Sequence, residues 1–133
     1  MNNNFFDKAR TNMVNNQLLP NGVKNPDLID SFDNTKKELF VPDDQKDIVY
    51  SDSDILISSN RYLIRTFVLA KMFDNCSFEK DDSVLVIGCL TGYSVAILSN
   101  LVSYVFGIEN KAFEKLQKNM LLLAKYKNLL PVN

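Results

Sequence analysis

Val84-Leu85-Val86-Ile87-Gly88-Cys89-Leu90-Thr91-Gly92-Tyr93 is the stretch whose reading decides the fold. The short apolar run from Ser83 to Ile87, stopped by a glycine, has the profile of a buried parallel strand. Residues 92–101 suit a helix, Tyr104-Val105-Phe106-Gly107-Ile108 a second strand, and residues 111–126 a second helix. In that last segment Ala112, Leu116, Met120, Leu123 and Ala124 fall on one face. A strand that ends in glycine and runs straight into a helix turns tightly at the carboxyl edge of its sheet. There, backbone N–H groups and a helix start can face a ligand.

Glu109 closes the second strand, 21 positions after Gly88 (109 − 88). That is the spacing at which a carboxylate accepts hydrogen bonds from the two hydroxyls of a ribose. A loop built for a dinucleotide's pyrophosphate also wants Gly-x-Gly-x-x-Gly, and no third glycine stands at that spacing here. The pattern therefore favours a nucleoside cofactor without a pyrophosphate, such as S-adenosylmethionine, over NAD. The candidate cofactor contacts are Gly88, Cys89, Leu90, Gly92, Tyr93 and Glu109. Cys89 reads first as a small, partly buried loop residue, and Tyr93 first as a packing residue at the helix start, with cofactor contact second.

Upstream, Phe6, Ala9, Met13 and Val14 recur at helical spacing, which predicts a helix over residues 5–16. Leu19-Pro20-Asn21-Gly22 ends it with turn residues. Asn25-Pro26 then supplies an N-cap and a proline at the first helical position, and Leu28, Ile29 and Phe32 line a second helix. A loop follows through Asp44. Residues 48–58 read as extended, with Ile55-Leu56-Ile57 as a short strand, and helical spacing returns from Leu63 to Phe73. The expected organisation is α/β: N-terminal helices and loops over residues 1–78, then β-α-β-α over 79–133, forming one domain overall.

Composition narrows the chemistry. The chain has 133 residues, 46% of them hydrophobic, and a net charge of -1, so nothing in its electrostatics calls for nucleic acid or an anionic membrane. No apolar run reaches the roughly 20 residues that span a bilayer. The start, Met1-Asn2-Asn3-Asn4-Phe5-Phe6-Asp7-Lys8, does not read as a secretory leader, and the expected location is the cytoplasm. Cys76 and Cys89 make neither a disulfide framework nor a metal site. There is no histidine, which excludes imidazole-based nucleophilic catalysis and histidine metal ligands.

Four stretches, taken in order, resemble the protein-L-isoaspartate O-methyltransferase family. Ala9-Arg10-Thr11-Asn12-Met13-Val14-Asn15-Asn16-Gln17-Leu18 is similar to the family's opening Ala-Arg-x-x-Met-Val-x-x-Gln-Leu. Lys37-Glu38-Leu39-Phe40-Val41-Pro42 resembles its Arg/Lys-Glu-x-Phe-Val-Pro element, and Tyr50-Ser51-Asp52 its Tyr-x-Asp. Ile87 to Tyr93 resembles its Ile-Gly-x-Gly-x-Gly-Tyr loop. The resemblance implies a Rossmann-like methyltransferase fold that carries methyl from S-adenosylmethionine to a damaged aspartyl carboxylate, with an isoaspartyl protein or peptide as partner. It also implies that Tyr50 and Asp52 lie on the substrate side. The missing histidine is compatible with such chemistry, because a carboxylate with a pKa near 4 needs no base at neutral pH.

Three departures from the family pattern carry expectations of their own. Leu90 stands at the loop's second glycine; if that position needs φ > 0, the substitution costs ~1–2 kcal/mol and adds bulk beside the cofactor. Ile64 stands at the serine of a Thr-x-Ser-x-Pro-like element, with Thr66 at its proline, so no catalytic hydroxyl is intact; Ser58 and Ser59 are nearby loop serines. The sheet is expected to be truncated after the approach to a third strand at Leu129-Leu130-Pro131-Val132-Asn133. Cofactor binding is accordingly expected to be weakened or lost, and the unsatisfied sheet edge to favour self-association. The alternatives are a non-catalytic remnant or interaction module, and a nucleotide-binding protein of another type, which the glycine pattern opposes.

Overall fold

The structure, a computed structural model, describes residues 3–110 and 129–132. The chain divides into two compact units, Met1–Ser77 and Phe78–Asn133.

The first unit opens with helix α1, Asn3–Met13, which widens without a break into a π-helical turn over Val14–Leu18. The turn is closed by the Leu19 amide donating to the Val14 carbonyl, 3.1 Å away. Helix α2, Pro26–Asn34, starts where expected: the Asn25 side chain accepts from the amides of Asp27 and Leu28, and proline occupies the first turn. Two short 3-10 segments, Lys37–Leu39 and Asp43–Ile48, lead to strand β1, Ile55–Ser58. Met13, Leu18, Leu28, Phe32, Phe40 and Ile55 are among the buried side chains of this unit.

Strand β2, Arg61–Leu63, pairs antiparallel with β1 and places Leu63 opposite Ile55. Helix α3 therefore begins at Thr66, three residues later than the helical spacing suggests, and runs to Asp74. Leu63 is taken by the hairpin, and Arg65 is extended at φ -53°, ψ 141°. Thr66 is thus the first helical position, a place that suits proline equally well. The Asp74 carboxylate accepts from the amides of Lys24 and Asn25, tying the end of α3 to the start of α2.

The second unit holds β3 (Ser83–Ile87), helix α4 (Tyr93–Ser99), β4 (Tyr104–Asn110) and β5 (Leu129–Val132). All three strands are parallel, in the order β3-β4-β5. In register, Leu85 faces Phe106 and Ile87 faces Ile108. Side chains alternate along β4, with Val105, Gly107 and Glu109 buried between exposed Tyr104, Phe106 and Asn110. Helix α4 is shorter than expected and buries Tyr93, Val95, Ala96, Ile97 and Leu98. The helix read over residues 111–126 lies outside the described residues.

Candidate functional site

The β3–α4 connection is built from three left-handed residues separated by single positions. Gly88 has φ 74°, Leu90 φ 50° and Gly92 φ 94°. Glycine takes such angles freely, whereas Leu90 does so against its own Cβ, at a cost of about 1–2 kcal/mol. The backbone at position 90 thus adopts φ > 0, the condition under which a side chain there is strained. The turn is pinned to the sheet by the amides of Gly88 and Cys89, which donate to the Ile108 carbonyl at 2.8 and 3.3 Å. The Gly92 amide closes it on the Cys89 carbonyl at 2.9 Å.

Glu109 comes to the same place from the end of β4. Its Oε2 accepts from the Leu90 amide at 2.8 Å, and its Oε1 from the Asn110 amide at 2.7 Å. Glu109 is buried, as are Cys89, Leu90, Thr91, Gly92 and Tyr93, while Gly88 is exposed. A carboxylate accepts at about four lone-pair sites, so two amide donors do not by themselves exhaust it. The Thr91 hydroxyl is fully buried and has no hydrogen-bond partner among the described residues. Such an atom leaves about 1–3 kcal/mol of desolvation uncompensated until something donates to it or accepts from it. The loop thus offers a fixed carboxylate, an unengaged hydroxyl and glycine backbone, a donor and acceptor set suited to a nucleoside.

Tyr50 and Asp52 belong to the other unit and differ sharply from each other. Asp52 is exposed, whereas Tyr50 is the hub of a buried polar cluster. The Tyr50 hydroxyl donates to Glu38 Oε2, accepts from the Lys37 amide at 3.1 Å and from an Arg10 guanidinium nitrogen at 3.4 Å. Arg10 also pairs with Asp7 at 2.6 Å and Glu38 at 3.5 Å, and its Nε donates to the Asp33 carbonyl. Gln17 Nε2 reaches the Tyr50 carbonyl at 2.8 Å. Burial, reinforced by the bond to Glu38, raises the phenol well above its usual range, with Arg10 acting against that rise. For Arg10, burial pulls its pKa down, but the bonds to Tyr50 and Asp7 outweigh it and the net shift is upward.

Lys37 is buried, with Nζ 2.8 Å from Thr66 Oγ1. Burial lowers its pKa from 10.5 to about 8, opposed by the charge of Asp54. Neither Arg10, Lys37 nor Glu38 was a site candidate from sequence. The signal that pointed to them was their membership of the recurring stretches around Ala9, Lys37 and Tyr50, which the fold brings into one cluster. Ile64, which the sequence reading places at the family's serine, is exposed just after β2, and Ser58 and Ser59 are exposed beside the hairpin turn. Among the described residues, no three Cys, Asp or Glu side chains are grouped so as to hold a metal ion.

The family model for protein-L-isoaspartate(D-aspartate) O-methyltransferase matches residues 9–127. The chain belongs to that family. Among protein-L-isoaspartate O-methyltransferases, that of Trichlorobacter lovleyi is 35% identical over 104 residues, covering 78% of this chain and 48% of the relative. That of Petrotoga mobilis is 30% identical over 125 residues, covering 93% and 59%. The chain spans about half the length of the curated relatives it matches. A solved protein-L-isoaspartate O-methyltransferase superposes with a TM-score of 0.79 at 21% identity, covering 92% of this chain and 41% of that one. A Plasmodium falciparum structure described as a member of the same group, in complex with S-adenosyl-L-homocysteine, gives 0.75 at 15% identity, covering 92% and 62%. At those identities the likeness establishes the fold, α/β and Rossmann-like as the strand–turn–helix pattern implies.

Proposed function

We propose that this chain carries the cofactor-gripping portion of an S-adenosylmethionine-dependent carboxyl methyltransferase acting on isoaspartyl residues of damaged proteins. The observation that carries the reading is the Glu109 carboxylate held 2.8 Å from the Leu90 amide, within a chain matched by the family model. The residues present fit the nucleoside end of the cofactor: Glu109 for the ribose hydroxyls, Thr91 Oγ1 for a further polar contact, and the glycines Gly88 and Gly92 for close approach. When bound, the cofactor supplies a sulfonium methyl, an electrophile that an ionised carboxylate attacks without a general base. The task left to the protein is to hold the two reactants in line and to exclude water. The family match does not favour the alternative of a non-catalytic remnant.

The experiment is transfer of labelled methyl from S-adenosylmethionine to an isoaspartyl peptide, with the normal aspartyl peptide as control. Incorporation into the isoaspartyl peptide alone is expected; incorporation into neither would defeat the proposal. Tyr50 and Asp52 enter this proposal differently, Tyr50 as a positioning residue beneath the surface and Asp52 as the exposed group available to a substrate.

The same reading includes a cytoplasmic location, which cell fractionation would test. No described helix is long and apolar enough to cross a membrane. It also includes self-association with a second copy. Strand β3 pairs only with β4 among the described strands, and Leu85, Ile87, Tyr104 and Phe106 are 54%, 78%, 59% and 40% exposed on one face. Light scattering is expected to report a dimer or larger species that Leu85→Lys with Ile87→Lys reduces to monomer. A wild-type chain that stays monomeric at high concentration would remove the idea.

A further inference from the structure

We infer that the bulk of the Leu90 side chain sets how tightly this loop holds a nucleoside, so that a smaller residue at position 90 binds more tightly. The inference rests on the cofactor reading above. Of the three left-handed positions in the loop, two are glycine and the third is Leu90. Its amide nitrogen lies 2.8 Å from the Glu109 carboxylate, so its Cβ, two bonds from that nitrogen, stands in the immediate surroundings of the same carboxylate. Leu90 is 7% exposed as a residue, so its side chain is buried and does not project into solvent. Next to it, Thr91 Oγ1 is buried without a partner. A buried carboxylate bonded to the Leu90 amide and, one residue on, a buried hydroxyl with no partner among the described residues thus adjoin a buried hydrocarbon side chain.

That arrangement is chemically mismatched within the loop itself. The polar atoms are those of a ligand site, and the filling is that of an apolar core. Two effects of Leu90 are separable. Its volume competes with the ligand, and its strained φ costs energy whether or not ligand is present. Leu90→Ala removes most of the volume and keeps the strain, whereas Leu90→Gly removes both.

The test uses the full chain, S-adenosylhomocysteine as probe, calorimetry for affinity, and thermal melting for both stability and ligand-induced shift. Circular dichroism checks that each variant is folded. Leu90→Ala is expected to bind about tenfold tighter than wild type, and Leu90→Gly at least as tightly. Leu90→Ala also decides the matter if Leu90→Gly does not fold. Folded variants that bind no tighter than wild type overturn the inference, as does a gain confined to Leu90→Gly, which would assign the effect to backbone strain. A sub-micromolar wild-type dissociation constant that Glu109→Ala abolishes would uphold the cofactor reading and overturn the role of Leu90. Absence of any heat or melting shift in wild type, Leu90→Ala and Leu90→Gly would overturn both.

Discussion

Two hydroxyls, one in each unit, lie buried in opposite circumstances. The Tyr50 hydroxyl in the first unit has partners on all sides: Glu38, the Lys37 amide and Arg10. The Thr91 hydroxyl in the second unit has none. Both sit within the residues that the family model matches, yet their surroundings set different tasks. A satisfied buried network rigidifies the chain around it, while an unsatisfied one keeps interaction energy in reserve for something that arrives later. Likeness to one family therefore covers two different things here, a satisfied polar cluster in the first unit and a loop with an open hydroxyl in the second.

The comparison breaks most visibly at Glu38. Glu38→Ala leaves the buried Arg10 guanidinium and the Tyr50 hydroxyl short of their shared acceptor and is expected to lower stability by about 3–5 kcal/mol in urea unfolding. Loss of less than about 1 kcal/mol would mean that the cluster is not a keystone.

Lys37 gives a pH signature almost as large. The unfolded chain keeps the lysine proton up to about 10.5, whereas the folded chain releases it near 8. Between those values the unfolded state binds more protons, so stability rises with pH, by about 3 kcal/mol in all. The gain is absent below pH 8 and complete above 10.5. Lys37→Met should flatten it, and the difference between the two unfolding curves cancels the opposite contribution of Tyr50. A wild-type curve parallel to that of Lys37→Met would refute this account of the buried ammonium.

The two hydroxyls themselves provide the sharpest pair. Tyr50→Phe is expected to cost about 1–2 kcal/mol, because Glu38 and the Lys37 amide lose a partner in the interior. Thr91→Val replaces an unpartnered hydroxyl by a methyl of similar size and is expected to raise stability by about 1 kcal/mol, the lower end of the desolvation left uncompensated at that atom. The same Thr91→Val change should weaken S-adenosylhomocysteine binding in calorimetry. Equal destabilisation by Tyr50→Phe and Thr91→Val would erase the contrast between the units.

The second unit was the more readable from sequence because its logic is local. An apolar run, a glycine stop, a helical segment and an acidic strand end follow one another within residues 83–109, and each leaves its mark on composition. Loop and carboxylate meet as a direct result of two parallel neighbouring strands ending at the same edge. The first unit depends on contacts between distant residues. Arg10 meets Tyr50 across 40 positions, Gln17 meets the Tyr50 carbonyl across 33, and Lys37 meets Thr66 across 29. No periodicity encodes such meetings, so Tyr50 was legible as a member of a motif but not as a hub. Of the hairpin, the first strand was legible at Ile55-Leu56-Ile57 and the second was hidden for a related reason. A strand of three residues is too short to display alternation, and Leu63 fits a helical stripe as well as it fits a strand.

The π-helical turn at Val14–Leu18 has its own consequence. An α-helix advances about 100° per residue, and the wider π turn advances less, so it absorbs one surplus residue and leaves the sequence beyond it one position out of phase with the helical faces. Gln17 reaches the Tyr50 carbonyl from within this widened turn. A relative lacking Asn15 or Asn16 would close the same stretch as an ordinary helix and keep its glutamine facing that carbonyl. Counting heptads or helical faces straight through Met13 would then mis-phase the rest of the segment, and the amide bridge is the landmark that restores the register.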